Sequence, residues 1–324
     1  MKRAFIIIFT CLMLCGCEAL TFSIDNLLSA PSVADEQAAI HQALIESVGA
    51  AVAPSYPRSG DYRSAFIVAD IDGDGNDEAL AFYTISGQSG AQNVRVSVLD
   101  SSGDGKWHAM YELAGRGTYV DTVILADYGE TVDIIIGYGG LSYEEGSVSI
   151  YRYAGGVLTS IYDSAYSVLD RWDIDSCGTD ETVIVKKAGT EVTVSVIKTL
   201  DGLDYITRER TLSSSAAYIS GCSFGEVDQG VNALFIDTVN ENSITFTEIV
   251  YMSDGVIVSP TSDNSELLLA TGRMLGYPTM DFDGDGSVEI PIISPFLGYS
   301  PLTQSNIEHL TRSVSYTHLT LPTN

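Results

Sequence analysis

A β-like pattern that restarts roughly every 50 residues constrains this chain more than any other feature. The restarts are strands beginning near Glu78, Asp133, Glu181, Ala233 and Glu289. Glycine-containing hairpin turns follow in phase, at Gly103-Asp104-Gly105, Gly155-Gly156, Asp201-Gly202 and Asp254-Gly255. Two independent markers sharing one period predict a repeated unit of about four strands. In the first unit these strands fall at 66–69, 79–83, 94–99 and 107–113.

A lone four-stranded sheet cannot bury both faces, so stacked neighbours must supply the core. The expected fold class is therefore all-β. It is a β-propeller of four-stranded blades, about five of them visible, behind a short N-terminal helix. Further strands are expected at 120–125, 134–137, 148–153, 183–185, 192–197, 244–251 and 256–258. Residues 35–48 carry a helical apolar face that Gly49 can stop, and 53–63 read as loop. No convincing helical pattern is expected after residue 64.

The restarts at Glu78 and Glu289 are preceded by an acidic loop. Residues 70–78 read Asp-Ile-Asp-Gly-Asp-Gly-Asn-Asp-Glu, and 281–289 read Asp-Phe-Asp-Gly-Asp-Gly-Ser-Val-Glu. Carboxylates at loop positions 1, 3 and 5 converge on one point, and glycine at 6 permits a sharp turn. Hard oxygen donors so arranged suit a hard cation, calcium first. An EF-hand would need glutamate at position 12 and flanking helices. Position 12 is Ala81 or Ile292, and the flanks are strand-like. At 173–181 the loop keeps positions 1, 3, 6 and 9 but has Cys177 at 5, a poor ligand for a hard cation. Asp173, Asp175 and Glu181 are therefore expected to stay without metal. The loops at 125–133 and 225–233 have lost most of their acids.

These loops resemble the FG-GAP, or VCBS-type, repeat of integrin-like β-propellers. The resemblance covers roughly 64–312 and is clearest over 68–82 and 279–292. It implies calcium bound between the first two strands of a blade. The implied ligands are Asp70, Asp72, Asp74, the carbonyl of Asn76 and Glu78. In the last loop they are Asp281, Asp283, Asp285, the carbonyl of Ser287 and Glu289. Glutamate at position 9 departs from the family's usual aspartate.

A formal charge of −27 argues against nucleic acid as a partner. Lys2, Arg3 and the apolar run 4–14 read as an export signal over 1–16. Leu14-Cys15-Gly16-Cys17 resembles a bacterial lipobox, which implies a lipid on Cys17 and a tether over 17–34. The domain order expected is then helix and loop over 35–63 and repeats over 64–313. Residues 314–324 resemble a translated sequencing adapter. Cys177 and Cys222 remain, read as two buried thiols with a disulfide left open.

No Gly-x-Ser-x-Gly elbow, Walker loop or His-Glu-x-x-His pattern occurs. The function expected is a calcium-binding envelope lipoprotein that binds an extracellular protein or glycan, or acts as a scaffold. The alternative is an extracellular polysaccharide-acting enzyme, a lyase or glycosidase. An axial cleft with acids outside the calcium loops and aromatic walls would favour it.

Overall fold

A computed structural model describes residues 32–87, 93–101, 106–129, 131–140, 146–200, 205–228, 230–294 and 313–317. The export signal, Cys17, most of the tether and the turns at 103–105 and 201–202 lie outside the described residues.

The chain is all-β, built from successive antiparallel sheets in a propeller-like series. The first sheet contains β1 (Val52–Pro54), β2 (Phe66–Ala69), β3 (Glu78–Ile85), β4 (Val94–Ser101) and β5 (Trp107–Ala114). The second runs β6 (Tyr119–Asp127), β7 (Val132–Gly139), β8 (Gly146–Ala154) and β9 (Val157–Tyr166). The third runs β10 (Val168–Trp172), β11 (Glu181–Ala188), β12 (Glu191–Thr199) and β13 (Tyr205–Thr211). The fourth holds β14 (Tyr218–Asp228), β15 (Val231–Val239), β16 (Ile244–Ser253), β17 (Val256–Val258) and β18 (Arg273–Met274). A further pair, β19 (Ile290–Ser294) and β20 (Ser313–Thr317), begins the fifth.

Neighbouring strands of each sheet pair antiparallel, joined in the second and fourth sheets by tight turns. Gly155-Gly156 and Asp254-Gly255 all adopt positive φ, the geometry of a tight hairpin whose twist matches its strands. The second strand of each sheet reads as an unbroken apolar run because both its faces are covered. Ile134 and Ile136 pack toward the first sheet, whereas Ile135 packs with Ile184 of the third. Val183 and Val185 turn to the fourth sheet, where they meet Leu234 and Ile236. Phe235 and Ala233 turn the other way, onto Val288 and Ile290. A period of two along β7, β11 and β15 thus joins the second, third and fourth sheets each to the one before and the one after.

The first sheet has a different neighbour on its outer face. Helix α1 (Ser32–Val48) lays Ile40 and Leu44, one turn apart, over Ala79, Ala81 and Tyr83. Gly49 ends the helix at φ 66°, its N–H bonded to the Ile45 carbonyl at 2.9 Å.

The structure corrects several sequence expectations. Residues 53–63 are not wholly loop. β1 and β2 pair with the same edge of β3, so the first strand is split around residues 55–65. That insert reaches the second sheet, where Ser59 N–H donates to the Asp121 carbonyl at 2.7 Å. The outer strand of the fourth sheet is likewise split into β17 and β18, both on β16. Between them lie two short helices the sequence reading did not anticipate, α2 (Pro260–Asp263) and α3 (Ser265–Ala270). Their Ser259 and Asn264 caps accept main-chain N–H groups. Helix α1 also begins inside the segment expected as tether. Cys177 and Cys222 are both free thiols, but Cys177 is exposed and Cys222 half-buried, where both were expected to be buried.

Candidate metal sites

The two acidic loops join a first strand to a second strand. The first spans the gap between β2 and β3, closed by the Ala69–Glu78 pair. The last is closed the same way by an isolated bridge between Met280 and Glu289. Positive φ at Gly73, Gly75, Gly284 and Gly286 lets each loop coil so tightly that its own amides reach inward. Asp70 accepts the N–H of Gly73 at 2.7 Å and of Gly75 at 3.0 Å. Asp281 accepts those of Gly284 at 2.7 Å and Gly286 at 2.9 Å. The N–H groups of Asn76 and Ser287 donate to Asp74 and Asp285, both at 2.8 Å.

The carboxylates converge. Asp281, Asp283, Asp285 and Glu289 each place an oxygen within 4.8 Å of the others. In the first loop Asp70, Asp72 and Glu78 do so, while Asp74 stands outside that group and accepts the side-chain amide of Asn76 at 2.9 Å. The position-9 glutamates are the buried members, Glu78 at 2% and Glu289 at 3% exposure. Each accepts the N–H of loop position 2, from Ile71 at 3.0 Å and from Phe282 at 2.7 Å.

Crowding of like charges leaves an electrostatic mark. Burial, and then the neighbouring Asp72, Asp100 and Asp74, push the Glu78 carboxyl up to about 7. Burial and then Asp74 raise Asp72 as well, with smaller contributions from Asp70 and Asp100. These loops can hold a metal ion: they gather hard oxygen donors whose mutual repulsion a divalent cation would cancel.

The third loop keeps the backbone and changes the contents. Ser176 and Gly178 both take positive φ, the pattern of Gly73 and Gly75. Asp173 accepts the N–H of Cys177 at 2.8 Å and of Gly178 at 3.0 Å. Asp173, Asp175 and Cys177 converge, but Lys198 of β12 enters beside them. Its ammonium pairs with Asp175, lies 3.0 Å from Glu181 and 3.2 Å from the Cys177 sulfur. The loops expected over 125–133 and 225–233 are short hairpins, with Asp127 facing Val132 and Asp228 facing Val231.

Sequence reading missed Lys198, and with it Arg152. Arg152 is fully buried and grips Asp133, Nε to Oδ1 at 2.7 Å. The signal lay in the strand register: Asp133 faces Arg152 across the β7–β8 ladder.

Two polar clefts adjoin these elements. One, of about 730 Å³, lies between the first-strand edges of the second and third sheets, with Asp61, Tyr62, Asp121, Tyr166 and Asp170 on its walls. The other, of about 880 Å³, is lined by Tyr128, Arg171, Asp180 and Lys198. Tyr166 lies close over Gly137 and Gly146, where any Cβ would collide with its ring or hydroxyl, and donates to Asp121 at 2.6 Å.

No family model matches the chain, and no curated protein does. Among solved structures, the exotype rhamnogalacturonan lyase YesX aligns over 64% of this chain and 56% of its own, at 12% identity and a TM-score of 0.28. The chain thus spans a little over half the length of that lyase. Among the described residues, no helix is long and apolar enough to cross a membrane.

Proposed function

We propose that the chain is a calcium-stabilised, propeller-like binding module held at the bacterial cell envelope by a lipid on Cys17. The observation that carries this reading is the convergence of Asp281, Asp283, Asp285 and Glu289 on one point, repeated by Asp70, Asp72 and Glu78. The resemblance to FG-GAP repeats adds Asp74 and the carbonyls of Asn76 and Ser287 as ligands. Bound calcium neutralises the acids and ties a first strand to a second, at an extracellular-type affinity of roughly 10⁻⁴ to 10⁻³ M. The ion is structural in this reading, and the partner is an extracellular protein or glycan.

Thermal melting with calcium and with excess chelator tests the proposal. Calcium should raise the melting temperature, and superimposable curves would refute it.

A second reading rests on the cleft with Asp61, Asp121 and Asp170 among tyrosines, outside the acidic loops. It is a polysaccharide-acting site. Incubation with acidic polysaccharides, followed for new reducing ends and for ultraviolet-absorbing unsaturated products, tests it. Cleavage abolished by Asp121→Asn would favour this reading over binding alone, and no cleavage across the panel would remove it.

A further inference from the structure

One register position recurs beside the ninth loop residue in the first three sheets. Asp100 faces Glu78, and Arg152 faces Asp133. In the third sheet Lys198, next beyond the Thr182–Ile197 pair, meets Glu181. In the first sheet, where the acidic loop is complete, this position is another acid. It is a cation in the second sheet, whose loop has shortened, and in the third, whose loop has lost an acid; in the fourth sheet Tyr251, next beyond the Leu234–Val250 pair, stands beside Ala233.

We propose that the Lys198 ammonium is the resident cation of the third loop, standing in cis where the first and last loops would take a metal ion. It contacts loop positions 3, 5 and 9 together: Asp175, Cys177 and Glu181. A solvent-facing ion pair would need only one of them. Charge balance agrees. At loop positions 1, 3, 5 and 9, four carboxylates with a divalent ion carry the same net charge as Asp173, Asp175 and Glu181 with one ammonium. Thiol for carboxylate at position 5 thus removes the charge that a divalent ion would otherwise be needed to balance.

Local chemistry supports a charged, held ammonium. Burial pulls the Lys198 proton affinity down, but hydrogen bonds to Asp175, Glu181 and Cys177 outweigh it and leave the group above the ordinary lysine value. Glu181 also differs from its counterparts. Glu78 and Glu289 accept the position-2 N–H, whereas the equivalent N–H of Ile174 goes to the Trp172 carbonyl at 2.8 Å. The third carboxylate therefore forgoes the position-2 N–H and lies 3.0 Å from the lysine ammonium. In the second sheet Arg152 does the same for Asp133, with Thr199 Oγ1 donating to the other carboxylate oxygen at 2.6 Å.

The comparison with a metal rests on the calcium reading above, while the ammonium's place among its three partners does not. The two separate in one experiment, hydrogen exchange on the full chain with and without chelator. If the first and last loops bind calcium, chelation speeds exchange at 70–78 and 281–289. Unchanged exchange there defeats the calcium reading alone.

The third loop is judged by itself. Amides at 173–181 should ignore the chelator in the wild type, and their deprotection by chelator would overturn the proposal. Lys198→Met should speed their exchange roughly tenfold. Cys177→Asp with Lys198→Met should restore protection on adding calcium and bind one more terbium ion than the wild type. A folded double variant with no added ion, or Lys198→Met with unchanged exchange, would show a surface ion pair and overturn the proposal. Should the variants fail to fold, the wild-type exchange at 173–181 still decides.

Discussion

Glu78 and Asp100 face each other across the β3–β4 ladder, two acids at a position where the next sheet sets Asp133 against Arg152. Burial of Glu78, with a smaller contribution from this confrontation, makes the metal-free first sheet sensitive to pH. Glu78 has its carboxyl raised from 4.5 to about 7, by burial first and then by Asp72 and Asp100. The folded state therefore holds this proton more tightly than the unfolded chain. Its contribution to stability is complete below about pH 4.5 and is lost as pH rises through about 7. In chelator, the melting temperature should fall between pH 5 and pH 8, and Glu78→Gln should flatten that fall. A melting temperature insensitive to Glu78→Gln at both pH values would contradict the account.

Calcium should reverse this trend, because binding needs the carboxylates ionised. The gain in melting temperature on adding calcium should grow from pH 5 to pH 8. Asp72→Asn and Asp283→Asn should each remove one site in a calorimetric titration. Two sites still counted in both variants would contradict the ligand assignment. At free calcium about 100 times the dissociation constant, each lost site removes about 2.7 kcal/mol of stabilisation.

The Asp133–Arg152 pair is buried, with side-chain exposures of 5% and 0%. Removing one partner strands the other's charge away from water, so Asp133→Asn or Arg152→Met should cost about 3–5 kcal/mol in urea unfolding. Replacing both with apolar residues should cost much less. A single variant as stable as the wild type would show that the pair does not bear on folding.

Tyr166 crosses its sheet over two residues without side chains. A Cβ at Gly137 would stand 2.7 Å from the Tyr166 hydroxyl, and one at Gly146 would stand 2.8 Å from the Tyr138 carbonyl. Gly146→Ala meets main chain that cannot rotate away and should destabilise by about 1–3 kcal/mol. Gly137→Ala should be milder, and the reverse order in denaturant melts would count against this packing.

Lipidation of Cys17 predicts that Cys17→Ala is released from membranes into soluble fractions. Retention of the variant with the membrane would remove the anchor from the proposal.

The unit boundaries were legible because second strands are covered on both faces. Runs such as Ile134-Ile135-Ile136 and Val183-Ile184-Val185 have no polar alternation to blur them. Of the outer strands, β5 and β17 were expected at 107–113 and 256–258, but β9 and β13 were not. β9 and β13 lie half in water, and polar residues such as Thr159, Ser160, Arg208 and Glu209 break their pattern. The acidic loops declared their ligand chemistry directly, since the donors are close in sequence. Lys198 and Arg152 could not be read in the same way. Each reaches its acid only through antiparallel register, which no local motif encodes.

Helix α1 lies where a preceding sheet would otherwise lie. The row of sheets therefore has a direction, and its start is sealed. A duplicated unit placed ahead of β2 would have to strip Ile40 and Leu44 from their seat. One spliced between β9 and β10 would find apolar surfaces waiting on both sides. Growth of such a chain by duplication is favoured at its interior joints.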